Sequence, residues 1–283
     1  MNSGDTAFRR IQSLARYTAA KSGFSAPTQE YLIRHTLESF LDRLTRTPHA
    51  SDFVLKGGIL LAAYGVRRPT KDTDSNAVSS NVTAENLAQV VRDIAAIDVD
   101  DGVEFDLDTI SVQEIREQAD YPALRVRVAA SIGSWKGVAA WDVSTGDPIV
   151  PSPRPVTIDR ILGEPITLLG YAPETIIAEK GVTILERGVT STRWRDYVDI
   201  VGLARRGIDP DELLRSARVV ARHRGVTLEP VAPYLLGYGA VAQAKWAAWR
   251  RKERLESVCE ENLDDQITLV ASCLDPVFVK GPE

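Results

Sequence analysis

The hydrophobic pattern of this chain is strand-rich up to about residue 170 and all-helical beyond it, and that change limits the folds open to it. Before it, Leu124-Arg-Val-Arg-Val-Ala-Ala-Ser-Ile132 alternates apolar and polar residues, the pattern of a half-buried strand. Gly133-Ser134 supplies a turn, and residues 136–143 read as the returning strand of a hairpin. From Pro173 onward the pattern is helical, over about 173–187, 193–206, 209–224, 231–255 and 260–273. An α+β fold follows: a mixed β-sheet with flanking helices over residues 1–170, then a C-terminal helical bundle over 171–283.

Within the first part, residues 6–20 and 28–44 read as amphipathic helices, the second with Thr28 as N-cap and Gln29 and Glu30 in its first turn. Phe53-Val-Leu is a short apolar strand, and Ile59 to Tyr64 a short apolar helix. Residues 73–78 form a further strand. Residues 83–97 form a helix with Leu87, Val90, Val91 and Ile94 on one face. The acidic stretch to Asp108 reads as a loop or hairpin with a strand near 103–107. Pro148, Pro151, Pro153 and Pro155 break regular structure before a last strand at 165–169.

Composition removes several function classes. No apolar run reaches the roughly 18 residues that a membrane span needs. The first residues lack a charged-then-apolar leader, so a cytoplasmic protein without membrane contact is expected. Cys259 and Cys273 form no CxxC, and His35, His49 and His223 form no HExxH, so neither a disulfide framework nor a zinc centre is indicated. Charge is uneven: residues 93–120 hold ten acidic residues and one basic, and residues 193–254 hold thirteen basic and seven acidic. A basic C-terminal half suits local contact with nucleic acid, although solvated helix faces explain single charges equally well. Lys245-Trp-Ala-Ala-Trp-Arg-Arg-Lys-Glu-Arg254 interleaves two Trp with five basic residues, which suits backbone contact and base stacking. Trp246 and Trp249 are three apart, a spacing that favours burial between helices instead.

The chemistry concentrates around Lys56-Gly57-Gly58 and Asp72-Thr-Asp74. Two glycines let backbone approach a polyphosphate closely. Two carboxylates one residue apart project to the same side of a strand, where they can hold divalent cations for nucleotidyl transfer. Arg67, Arg68 and Lys71 bring positive charge to the approach. Asp142, on a strand expected beside that of Asp72 and Asp74, is the candidate third carboxylate. Asp106 and Asp108 repeat the spacing but lack a glycine turn, and read as solvated surface. Lys180 lies mid-helix among Ile176, Ile177, Val182, Ile184 and Leu185; it either snorkels to solvent or neutralises nucleotide phosphates. Asp196 and Asp199 share a helix face, and Asp196 can pair with Lys180 across two helices or complement a helix N-terminus.

Taken in order, Lys56-Gly57-Gly58, Asp72-x-Asp74, Asp142 in Trp-Asp-Val-Ser-x-Gly-Asp, Glu179-Lys180 and Arg195-Asp196-x-x-Asp199 resemble the AbiEii/AbiGii-type nucleotidyltransferase toxins of toxin–antitoxin systems, including the MenT group. The resemblance runs from about residue 50 to about 205. It implies a nucleotidyltransferase-like sheet and Mg²⁺ on Asp72, Asp74 and Asp142. It implies a nucleoside triphosphate bound by Lys56, Gly57, Gly58 and Lys180, with Asp72, Asp74, Lys180 and Asp196 in catalysis. It also implies an RNA acceptor, with the tRNA 3′ end foremost, a block of translation, and a cognate antitoxin encoded nearby. Two positions depart from the pattern: Ile59 replaces the hydroxyl residue usual after the second glycine, and Ser75 replaces an apolar or aromatic residue after the second Asp. Transfer to a protein or small molecule, and a degenerate fold serving as a binding module, are the competing readings.

Overall fold

The computed structural model describes residues 3–22, 27–66, 69–79, 81–115 and 123–279. The chain divides into two compact units: residues 1–146 with 154–170, and residues 147–153 with 171–283.

The first unit runs α1 (Ser3–Ser22), α2 (Thr28–Thr45), β1 (Phe53–Lys56), α3 (Gly57–Ala63), β2 (Thr73–Ala77), α4 (Ala84–Ala96), β3 (Glu104–Glu114), β4 (Ala123–Ile132), β5 (Trp135–Thr145), β6 (Arg154–Ile158) and β7 (Ile166–Gly170). Among the described residues these strands form one seven-stranded sheet in the order β3-β4-β5-β2-β1-β7-β6. The sheet is mixed: β2 runs parallel to β5 and β1 parallel to β7, while the other neighbours are antiparallel. One face is the apolar core. Trp141 packs against Phe53 at 4.6 Å and Phe40 of α2 at 5.5 Å between ring centroids. Ala7 and Ile11 of α1 extend that core over Ala130 and Ile132 of β4. Thr83 caps α4 by accepting from the Asn86 amide at 3.2 Å.

Three expectations are corrected here. Thr28 does not cap α2: Pro27 holds the N-cap position in an extended conformation, with no side-chain cap. The acidic stretch is not a loop with a short strand; β3 continues to Glu114, with a register shift between Asp106 and Ser111. As an edge strand it is exposed along most of its length, so it shows no apolar alternation. The proline-rich segment also contains a strand. Among the described residues β6 pairs only with β7, and an edge strand tolerates Pro155, which has no N–H to donate.

One residue of the acidic stretch lies inside. Asp101 meets Arg43 at 3.2 Å and Arg160 at 3.6 Å, with all three side chains no more than 7% exposed. This buried pairing ties α2 to the turn before β3 and to the β6–β7 connection.

The second unit holds α5 (Pro173–Arg187), α6 (Trp194–Ala204), α7 (Pro210–His223), α8 (Tyr238–Glu253) and α9 (Leu263–Phe278). Segment 147–153 belongs here because the Val150 carbonyl accepts from Thr175 Oγ1 at 2.6 Å and Ser216 Oγ at 2.5 Å. The helix expected over 231–255 is interrupted at Gly237, whose φ of 75° is left-handed, leaving a short 3-10 turn before α8. The helix expected to stop at 273 runs through Pro276 to Phe278. Trp246 is fully buried, stacked on Trp249 at 5.2 Å and edge-on to Trp194 at 6.1 Å. Burial in the bundle, rather than base stacking, accounts for Trp246.

Candidate active site

In the first unit two of the three sequence-predicted carboxylates, Asp74 and Asp142, fall on one row of the sheet. Lys56 of β1 pairs in register with Asp74 of β2, Asp74 with Asp142 of β5, and Asp142 with Arg125 of β4. Residues directly opposite across a sheet share a face, so one line carries a cation, two carboxylates and a cation. Asp72 stands just before β2, two residues from Asp74. The row lies on the sheet face opposite Trp141, Thr73 and Ser75, since successive residues alternate sides.

Local contacts fix the members. Gly57 has φ +73°, and a Cβ there would sit 1.8 Å from Asp74 Oδ2. The Asp74 carboxylate therefore rests on the glycine turn, and only glycine leaves room for it. Thr70 Oγ1 donates to the Asp72 carbonyl at 3.1 Å and to Asp72 Oδ1 at 3.3 Å. Lys56 Nζ donates to Ser144 Oγ at 2.8 Å, which holds the lysine along the row. Arg125 donates from Nε to Asp142 Oδ1 at 2.7 Å and from Nη2 to Asp142 Oδ2 at 2.6 Å, and its Nη2 also reaches Asp72 Oδ2 at 3.3 Å. This forked geometry is the strong form of an arginine–carboxylate contact. The Asp142 carboxylate, through those hydrogen bonds, raises the Arg125 guanidinium above its usual value, and the charges of Asp72 and Asp74 add to it.

Both departures from the family pattern have structural reasons. Ile59 is buried in α3, where a hydroxyl would face the core. Ser75 points to the core face and accepts from the buried Trp141 indole N–H at 3.0 Å. Lys71 is exposed beside the site, while Arg67 and Arg68 lie outside the described residues.

The second unit brings together the other predicted group. Lys180 of α5 places Nζ 2.5 Å from Asp196 Oδ1 and 3.0 Å from Asp199 Oδ2, both on α6. Arg193 Nε lies 2.7 Å from Asp196 Oδ2. The Asp196 side chain is 4% exposed and that of Asp199 is 0%. Burial alone would push the Asp196 carboxyl up; Lys180 and then Arg193 outweigh it and hold it below the usual carboxylate range. Lys180 therefore does not snorkel freely; two buried carboxylates clasp it.

Arg125 and the contact of Ser144 with Lys56 escaped the sequence reading. Arg125 sits in an Arg-Val-Arg alternation that reads as an ordinary strand, and its role appears only once β4 is placed beside β5. Asp106 and Asp108 are exposed on β3, as expected.

Among the described residues no three His, Cys, Asp or Glu side chains are gathered into a metal cage. The donor set still suits a hard cation: Asp72, Asp74 and Asp142 offer only oxygen, and Arg125 shows that Asp72 and Asp142 can share one positive centre.

A mixed sheet bearing carboxylates on adjacent strands behind a glycine turn is a nucleotidyltransferase fold. A candidate nucleotidyltransferase from H. pylori superposes with a TM-score of 0.52 at 17% identity, over 90% of this chain and 97% of that one. JHP933 from Helicobacter pylori gives 0.52 at 16%, over 90% and 94%. At those identities the likeness is one of fold. No curated protein sequence matches. Residues 39–266 match the AbiEii nucleotidyl transferase toxins of type IV toxin–antitoxin systems, and the chain belongs to that family.

Proposed function

We propose that this protein is a Mg²⁺-dependent toxin of the cytoplasm that transfers nucleotides from a nucleoside triphosphate to RNA, foremost the tRNA 3′ end. Translation is blocked as a result, and an antitoxin encoded nearby restrains it. The observation that carries this reading is the charged row Lys56–Asp74–Asp142–Arg125, with Asp74 seated on Gly57.

In the reaction the acceptor hydroxyl oxygen bonds to the α-phosphorus, the bond to the β-phosphate oxygen breaks, and pyrophosphate leaves. Asp72, Asp74 and Asp142 would hold Mg²⁺, which supplies charge neutralisation for the polyphosphate and activation of the hydroxyl. Asp72, whose side chain is 35% exposed against 15% for Asp142, takes the hydroxyl proton. Gly57 and Gly58 allow close backbone approach to phosphate, and Lys56 adds a positive charge there. Lys180 is assigned to the triphosphate as a point charge, and Asp196 orients its ammonium.

The test incubates the purified chain with each labelled NTP and total tRNA. Label in tRNA, lost in Asp72→Ala, supports the reading. Label in protein redirects the acceptor. No transfer with any NTP, and no effect of Asp72→Ala on toxicity, points to a binding module and overturns it.

A further inference from the structure

Arg125 claims the same oxygens that the proposed metal site needs. Its fork takes both oxygens of Asp142, at 2.7 and 2.6 Å, and its Nη2 also reaches Asp72 at 3.3 Å. A divalent ion held by Asp72 and Asp142 would draw on those oxygens too, and two positive centres on one carboxylate repel. With Asp72 counted beside the row, three carboxylates outnumber Lys56 and Arg125 by one charge. An ion entering with Arg125 in place reverses that sign, and release of Arg125 restores balance.

The geometry points to Arg125 as a built-in counter-cation that competes with the divalent ion, so that the ion enters by exchange with the guanidinium. This rests on the metal site proposed above. Exposure supports exchange rather than a fixed structural bridge. The Arg125 side chain is 34% exposed, whereas Arg43 and Arg160, which lock the α2 network, are each 5% exposed. A guanidinium at the surface leaves its carboxylate with little desolvation cost, and a buried one does not. Register also favours it: Arg125 and Asp142 are direct cross-strand partners, so the fork opens and closes by side-chain rotation with the strands unmoved.

The experiment titrates Mn²⁺ into the full-length chain by calorimetry, with thermal unfolding alongside. Removing a charge-assisted competitor in Arg125→Gln is expected to tighten Mn²⁺ binding about tenfold. Arg125→Lys, which keeps the charge and loses the fork, falls between. Metal-free Arg125→Gln melts below the wild type, and saturating Mn²⁺ raises its melting temperature by more than it raises that of the wild type. Equal or weaker Mn²⁺ affinity in Arg125→Gln overturns the inference; if that variant does not fold, unchanged or weaker affinity in Arg125→Lys does so. Wild-type uptake of Mn²⁺ that Asp72→Asn abolishes keeps the metal site standing whichever way Arg125 falls. A wild type that takes up no Mn²⁺ removes both.

Discussion

The two charged clusters of this protein are built to opposite specifications. The row on the first unit is shallow: Asp72 and Arg125 are each about a third exposed, and Arg125 spans two carboxylates. The clasp on the second unit is deep, with Lys180 held between two carboxylates that have almost no contact with solvent. A shallow row can trade one cation for another at low cost. A deep clasp cannot, because each charge depends on the others to offset its loss of water. The same residue chemistry thus yields an adjustable site in one place and a fixed one in the other.

The sharpest way to break that contrast is Lys180→Ala. It removes the cation that Asp196 and Asp199 share, leaving Asp196 to Arg193, and should cost about 3–5 kcal/mol of stability, read by denaturant unfolding. A cost below that of a surface pair would show the clasp to be shallow after all. Next, Gly57→Ala drives a methyl group into Asp74 and forces a left-handed backbone on alanine. Displacing one carboxylate by about an ångström should lower transfer about a hundredfold, measured by single-turnover labelling. Ser75→Ala acts on the core side of the same strand. It leaves the Trp141 indole without its acceptor and should cost about 1–3 kcal/mol while sparing Mn²⁺ affinity, because the row lies on the other face.

The smallest effect expected is in acid. Asp196 is held below its usual value, so its stabilising contribution is complete above the unfolded value of about 3.9 and fades as pH falls through the lower folded value. Asp196→Asn should therefore be less stable than the wild type at neutral pH, with the gap closing below about pH 4. A gap that stays constant in acid would show that Asp196 acts through packing rather than charge.

The sequence shows its site residues better than its edges. An acidic pair is common in solvated turns, and the glycine turn and apolar helix before it are what singled out Asp72 and Asp74; Asp142, placed on a neighbouring strand, does fall in register with Asp74. The Lys180–Asp196 pair was one of two readings open for Asp196, and the structure forms it. Arg125 was not legible, because its meaning is non-local: it depends on which strand lies beside β4. Strand β6 was missed and β3 was read too short for a shared reason. Periodicity reports burial, and an edge strand with little burial carries turn-like residues without penalty. Gly237 delays the start of α8, which apolar spacing alone placed at 231.

Those two edges have a consequence for the protein in a crowded cell. The sheet begins at β3 with Glu104, Asp106, Asp108 and Glu114, and ends at β6 with Pro155. Repelling carboxylates guard one border, and a residue unable to donate interrupts the other. Neither invites a further strand from another copy, so accumulation of this chain should proceed without fibrous assembly through its sheet.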